Sequence, residues 1–182
     1  MRSISSYGQV IAVTLGLLWS GANYAGENYW PRVKAVNAYF NSNYAVSDDL
    51  SLWAQEDHWA TPQEFAAKGA GDCEDFAIAK YFELVAENVP KELLALSYVT
   101  LNGNQAHMVL LYHDQTEDTW YVLDSYNPAV LPVSKRPDLD FIYSFNELGV
   151  WVPEEEVIGK KVAEAGSLSK WQEILKSVAT DN

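Results

Sequence analysis

Hydrophobic positions recur along this chain with two different periods, and the change between them falls near residue 90. After Pro31, the residues Val33, Val36, Ala38 and Phe40 predict a short amphipathic helix with proline in its first turn. Ser47-Asp48-Asp49 can cap a second helix carrying Leu50, Leu52 and Trp53. Thr61-Pro62-Gln63-Glu64 is a capping box with proline at the first helical position, and Gly69 is placed to stop that helix. Gly69-Ala70-Gly71 gives a flexible approach to Asp72. From Cys73 to Asn88, the residues Phe76, Ala79, Phe82 and Val85 return every three positions, which predicts a helix with one buried face, ended by Pro90. Beyond it, Leu96 to Leu101, Ala106 to Tyr112 and Trp120 to Asp124 are rich in β-branched and aromatic residues. Asn102-Gly103-Asn104 and Asp114 to Thr119 separate them, so they predict antiparallel strands. Leu131-Pro132-Val133 and Phe141 to Phe145 can add one or two more. Residues 153–166 read as loop, and Leu168, Trp171, Leu175 and Val178 stripe a final helix capped by Ser167. Helices first and an antiparallel sheet second describe an α+β domain.

The N-terminus follows a different logic. Arg2 precedes the apolar run Val10 to Trp19, and small residues around Ser20-Gly21-Ala22 and Asn23-Tyr24-Ala25 offer cleavage sites. The run is shorter than the roughly 20 residues that span a bilayer, so a secretory signal peptide over 1–22 is the expectation and a buried helix the alternative. The mature chain, 23–182, forms one domain, since 182 residues of which 48% are hydrophobic support a single core. Its formal charge of -13 becomes one unit more negative once Arg2 is removed. Such a surface repels nucleic acid and anionic lipid, and suits calcium or a basic partner.

The chain has one cysteine. Export favours paired cysteines, so a lone one is a buried bystander or a working thiol. Cys73 stands where a glycine-containing turn enters a helix, facing backbone N–H groups and the positive end of the dipole, which favours a thiolate. A thiolate nucleophile needs an imidazole to hold its proton, and the imidazole needs an orienting group. If Ala106 to Leu111 and Trp120 to Asp124 form a hairpin turning about Gln115 and Thr116, His107 falls opposite Asp124. Cross-strand neighbours have Cβ atoms roughly 4.5–5.5 Å apart on one face, the reach of a carboxylate that holds a ring nitrogen. A one-residue slip would separate them. His113 and His58 are the other candidate bases.

Asp72, Glu74 and Asp75 crowd negative charge around this thiol, which should raise its pKa. They either complement the helix dipole or hold a hard cation such as calcium. An oxyanion hole can combine the Cys73 N–H with a side-chain donor, either Trp59 or Gln63.

At these residues the sequence resembles the bacterial transglutaminase-like cysteine proteinases of the LapG-type periplasmic kind. The stretches that carry it are Trp59 to Pro62, Gly71 to Phe82, Ala106 to Leu110, Val122 to Asp124, Arg136-Pro137-Asp138-Leu139 and Tyr143 to Asn146. The block from Gly71 to Phe82 is long and specific. The resemblance implies a papain-like, transglutaminase-type fold with Cys73, His107 and Asp124 as a catalytic triad. It also implies calcium as cofactor, with Asp72, Glu74 and Asp75 as ligands. Proteins of this type cut the N-terminal region of a large surface adhesin in the periplasm and so disperse biofilm. The periplasmic domain of an inner-membrane cyclic-di-GMP receptor holds them in check. The family often has asparagine after the triad aspartate, where this chain has Ser125, with Asn127 two positions further on. A transglutaminase would share the acyl-enzyme chemistry, and a calcium-dependent binding module would use the acids alone.

Overall fold

The acidic capping residues and prolines place the helices much as their chemistry requires. In the computed structural model, which describes residues 27–180, α1 runs over Trp30–Asn43 with Pro31 in its first turn. Asp48 caps α2 (Asp49–Trp53), its side chain accepting from the Ser51 N–H. The capping box at Thr61 opens α3 (Pro62–Lys68), and Gly69 closes it at a φ of 70°. That is the left-handed conformation in which glycine carries no Cβ penalty. The predicted signal peptide, 1–22, lies outside the described residues. No helix among the described residues is long and apolar enough to cross a membrane.

Between α1 and α4 (Cys73–Ala86), β1 (Ala45–Val46) and β2 (Ala70–Gly71) form a short parallel pair. Gly71 is dictated by space. A Cβ there would sit 2.6 Å from Asp75 Oδ2 and 2.7 Å from the Phe65 ring, so the strand can enter α4 only without a side chain. α4 stops at Ala86 rather than at Asn88, because Asn88 already takes a positive φ.

The second half is an antiparallel sheet of seven strands. They are β3 (Leu94–Leu101), β4 (Gln105–Asp114), β5 (Thr119–Leu123), β6 (Leu131–Pro132), β7 (Leu139–Asn146), β8 (Gly149–Val152) and β9 (Lys160–Ala163). Their order is β6-β5-β4-β3-β7-β8-β9. α4 packs on β4 and β3, and its buried Phe76, Ala77, Tyr81 and Leu84 join Leu94, Leu96, Met108 and Leu110 in the main core. A smaller cluster, including Val99, Val109, Leu111 and Val122, fills the other face. The final helix, α5 (Ser169–Thr180), buries Trp171 and Ile174 in or against the main core.

Three expectations need correction. Residues 153–166 contain β9 and a short turn of 3-10 helix as well as loop. Their strand is polar and at a sheet edge, so it lacks the apolar alternation that marks a half-buried strand. α5 starts at Ser169, leaving Ser167 inside that 3-10 turn rather than at the cap. The β4–β5 hairpin turns over residues 115–118, so Leu110 pairs with Leu123 and Asp114 with Thr119. His107 therefore does not stand directly opposite Asp124, which lies just past the end of β5. The shift is two residues, and an even shift preserves the alternation of side chains.

Candidate active site

Cys73 is the first residue of α4, half-buried, with Asp72 as the preceding cap. His107 lies near the start of β4 and Asp124 follows β5, and both are buried, at 1% and 0% exposure. His107 Nε2 and Asp124 Oδ1 are 2.8 Å apart. Burial by itself would raise the Asp124 carboxyl. The His107 hydrogen bond and charge, the Tyr126 N–H and Arg136 outweigh it and hold the group at about 2. An ionised carboxylate only accepts, so Nε2 carries the proton and the ring's lone pair sits on Nδ1. That Nδ1 is buried and has no hydrogen-bond partner. Tyr126 stacks over the imidazole with ring centroids 4.6 Å apart, fixing the ring plane.

Cys73 and His107 line one cleft of about 440 Å³ with Asp57, Trp59, Glu74, Tyr98, Tyr143 and Lys170. Of the two oxyanion-hole candidates, Trp59 borders this cleft while Gln63 is an exposed residue of α3. His113 sits apart, 3.1 Å from Asp118 at the hairpin turn, and His58 faces Trp53 and Glu64. The structure thus gathers Cys73, His107 and Asp124 and leaves the other two histidines elsewhere.

The acids beside the thiol are the difficult part of the site. Burial raises the Cys73 pKa well above the thiol range, and Glu74 and Asp72 add to it. The thiol donates to Glu74 Oε2 at 3.0 Å. Asp72 is pushed up to about 9 by burial first and then by Glu74, Asp75 and Asp49.

One oxygen each from Asp49, Asp72 and Glu74 lie within 4.8 Å of one another. Asp49 Oδ1 and Asp72 Oδ1 are buried without a hydrogen-bond partner. Three carboxylates this close together, two of them with an unpartnered buried oxygen, fit a hard cation, which takes oxygen ligands. Asp75 belongs to a different arrangement. Its Oδ1 accepts from the Ala60 N–H at 2.7 Å and its Oδ2 from the Asp72 N–H at 3.4 Å, so it ties the helix start to the chain before α3. Asp49 takes the place expected of Asp75 in the cluster. Its sequence context gave it only the look of a helix-capping acid. Arg136 is the other residue the pattern did not assign a role, and its Nη2 is 2.8 Å from Asp124 Oδ2.

The chain is similar to known proteins over most of its length. The model of the family described as bacterial transglutaminase-like cysteine proteinase matches residues 20–153. Legionella pneumophila LapG in its calcium-bound form shares 38% identity, covering 84% of this chain and 82% of that one, with a TM-score of 0.71. The EGTA-treated form of LapG gives the same identity and TM-score over 84% of this chain and 80% of that one. No curated protein matches the chain. The α+β architecture is the transglutaminase-like fold of this group.

Proposed function

Since the chain belongs to the bacterial transglutaminase-like cysteine proteinase family, we propose that it is a calcium-dependent endopeptidase using Cys73, His107 and Asp124. The observation that carries this reading is the buried His107–Asp124 pair at 2.8 Å, with an unpartnered Nδ1, in the cleft that Cys73 also lines. Cys73 Sγ attacks the scissile carbonyl while its proton passes to His107 Nδ1. The same nitrogen returns the proton to the amine as the C–N bond breaks. Water then attacks the thioester with His107 as base, releasing the acid and restoring the thiol. Asp124 holds the tautomer and stabilises the imidazolium that forms in between.

Asp49, Asp72 and Glu74 are the residues that would hold calcium. When bound, calcium supplies positive charge that offsets the acids beside the thiol and so lowers the cost of a thiolate. The calcium-bound and EGTA-treated LapG structures support calcium as the ion, and the choice of these three residues rests on the closeness of their oxygens. The substrate is the N-terminal region of a large surface adhesin, whose release disperses biofilm. The protein acts in the periplasm, where the periplasmic domain of an inner-membrane cyclic-di-GMP receptor sequesters it. The sequence resemblance and the predicted signal peptide support these last assignments.

The test is incubation of an adhesin's N-terminal fragment with residues 23–182, with calcium and with excess chelator, followed by intact-mass analysis. Two fragments whose masses sum to the substrate plus one water, formed only with calcium, are expected. Cross-linked product would point to a transglutaminase. Calcium-dependent binding of the intact fragment without cleavage would point to a binding module.

A further inference from the structure

The Asp124 carboxylate is held by hydrogen bonds on Oδ1 and by an ion pair, without aligned hydrogen-bond geometry, on Oδ2. Oδ1 receives His107 Nε2 at 2.8 Å and the Tyr126 N–H at 2.9 Å, while Oδ2 faces Arg136 Nη2 at 2.8 Å. Arg136 is itself almost fully buried, at 4% exposure, in the bend between β6 and β7. Asp138 fixes its guanidinium through Nε to Oδ1 at 3.0 Å and Nη2 to Oδ2 at 2.8 Å. The main chain of Asp124 is gripped as well. Its carbonyl accepts from Asn41 at 2.8 Å and from the buried Lys80 at 3.3 Å, and Lys80 also donates to Asn37 at 2.8 Å. Lys80 lies two turns along α4 from Cys73, so one helix bears both the thiol and a hold on the acid.

We propose that Arg136, set in place by Asp138, is a positioning residue that locks the Asp124 carboxylate in the orientation that keeps Oδ1 on His107. The assignment rests on the triad reading above. Without Arg136 the buried carboxylate would lose the counter-charge on Oδ2 and could turn about its last torsion, and Oδ1 would no longer be held on the imidazole. Arg136 is not among the residues lining the cleft, so it acts on the chemistry through Asp124 and leaves substrate contact to others. The planar guanidinium matters in addition to its charge. It serves two carboxylates at once through a rigid fork, which the single ammonium of lysine does not reproduce.

Three properties of the calcium-loaded protein test this: the rate of Cys73 alkylation by iodoacetamide, the downfield NMR resonance of the His107 Nε2 proton, and kcat against KM on the cleaved fragment. Arg136→Met and Asp138→Asn are compared with wild type, Arg136→Lys and Asp124→Asn, each with its thermal transition recorded. In Arg136→Met, alkylation and kcat fall by about ten- to a hundredfold, the scale of a misplaced catalytic group. KM stays within about twofold and the His107 resonance shifts or broadens. Arg136→Lys recovers part of the loss, and Asp138→Asn shows a smaller version of it. Should Arg136→Met fail to fold, Asp138→Asn carries the same comparison, since it frees the guanidinium while keeping the charge. An unshifted His107 resonance and wild-type alkylation in a folded Asp138→Asn or Arg136→Met would overturn the proposal. If Asp124→Asn also alkylates like wild type, the triad reading itself has failed instead.

Discussion

Cys73 and Glu74 place a thiol and a carboxylate 3.0 Å apart in a half-buried setting, where both cannot easily be anionic. The sequence already carried this conflict, because Asp72, Glu74 and Asp75 flank the cysteine. Which acids would hold a cation that relieves it was not legible. Asp49 lies in another helix and looks like a cap, and only the folding of α2 against β2 brings it to Asp72 and Glu74. Asp75 looks like an equal member of the run, yet both of its oxygens are taken by backbone N–H groups. The two acids therefore predict opposite mutant behaviour, measured by calorimetric calcium titration and thermal unfolding. Asp49→Asn lowers calcium affinity by about tenfold or more, since a charged ligand is lost. Asp75→Asn leaves affinity near wild type and costs about 1–3 kcal/mol of stability, through weakened hydrogen bonds to buried donors. Calcium binding lost in a folded Asp75→Asn but kept in Asp49→Asn would restore the ligand set read from sequence.

Among the elements, legibility followed the strength of local chemistry. The capping box at Thr61 and the glycine stop at Gly69 fix α3 from within, and both stand where the pattern put them. On α4 the expected face holds only at Phe76 and Ala79, since Phe82 and Val85 are half-buried while Ala77, Ile78, Tyr81 and Leu84 are buried. β8 and β9 escaped because a short strand and a polar edge strand are defined by their neighbours rather than by their own alternation. The hairpin register shows the same limit. The side-chain alternation was readable, while the turn position depends on Asp118 adopting a positive φ four residues past Asp114. His107 and Asp124 met because alternation, rather than the exact pairing, governs which residues share a face. Gly71 tests the junction between β2 and α4. Gly71→Ala drives a methyl into Asp75 and Phe65, both of them buried, and should cost about 1–3 kcal/mol as overpacking. Denaturant unfolding checks it, and wild-type stability would mean that the junction is slack. The same substitution should also slow Cys73 alkylation, because the displaced Asp75 caps the helix that presents the thiol.

Across the whole molecule, charge couples the site to folding. Asp72 is raised to about 9 and Asp75 to about 7, in each case by burial first, from an ordinary value of 3.8. Between about pH 4 and pH 9 the folded chain therefore holds protons that the unfolded chain releases. Buried Lys80, lowered to about 7, opposes this above about pH 7, but the two acids outweigh it between about pH 5.5 and pH 8, so stability without metal falls over that range. Thermal unfolding in chelator should give a lower Tm at about pH 8 than at about pH 5.5, and calcium should raise Tm more at the higher pH. A Tm in chelator that rises with pH would contradict the buried acid cluster. The family match to residues 20–153 stops short of β9 and α5, yet Lys170 of α5 borders the cleft and pairs with Asp57. The C-terminal helix thus contributes to the cleft as well as to the core through Trp171.

The central claim, that this chain cleaves peptide bonds through Cys73, is tested most directly by one comparison. Wild type and Cys73→Ala are incubated with the same adhesin fragment in calcium, and the initial rate of fragment loss is measured for each. The account predicts cleavage by wild type and a fall of about four orders of magnitude or more in the variant, with calcium binding retained. Cleavage by Cys73→Ala at a rate near wild type would contradict it.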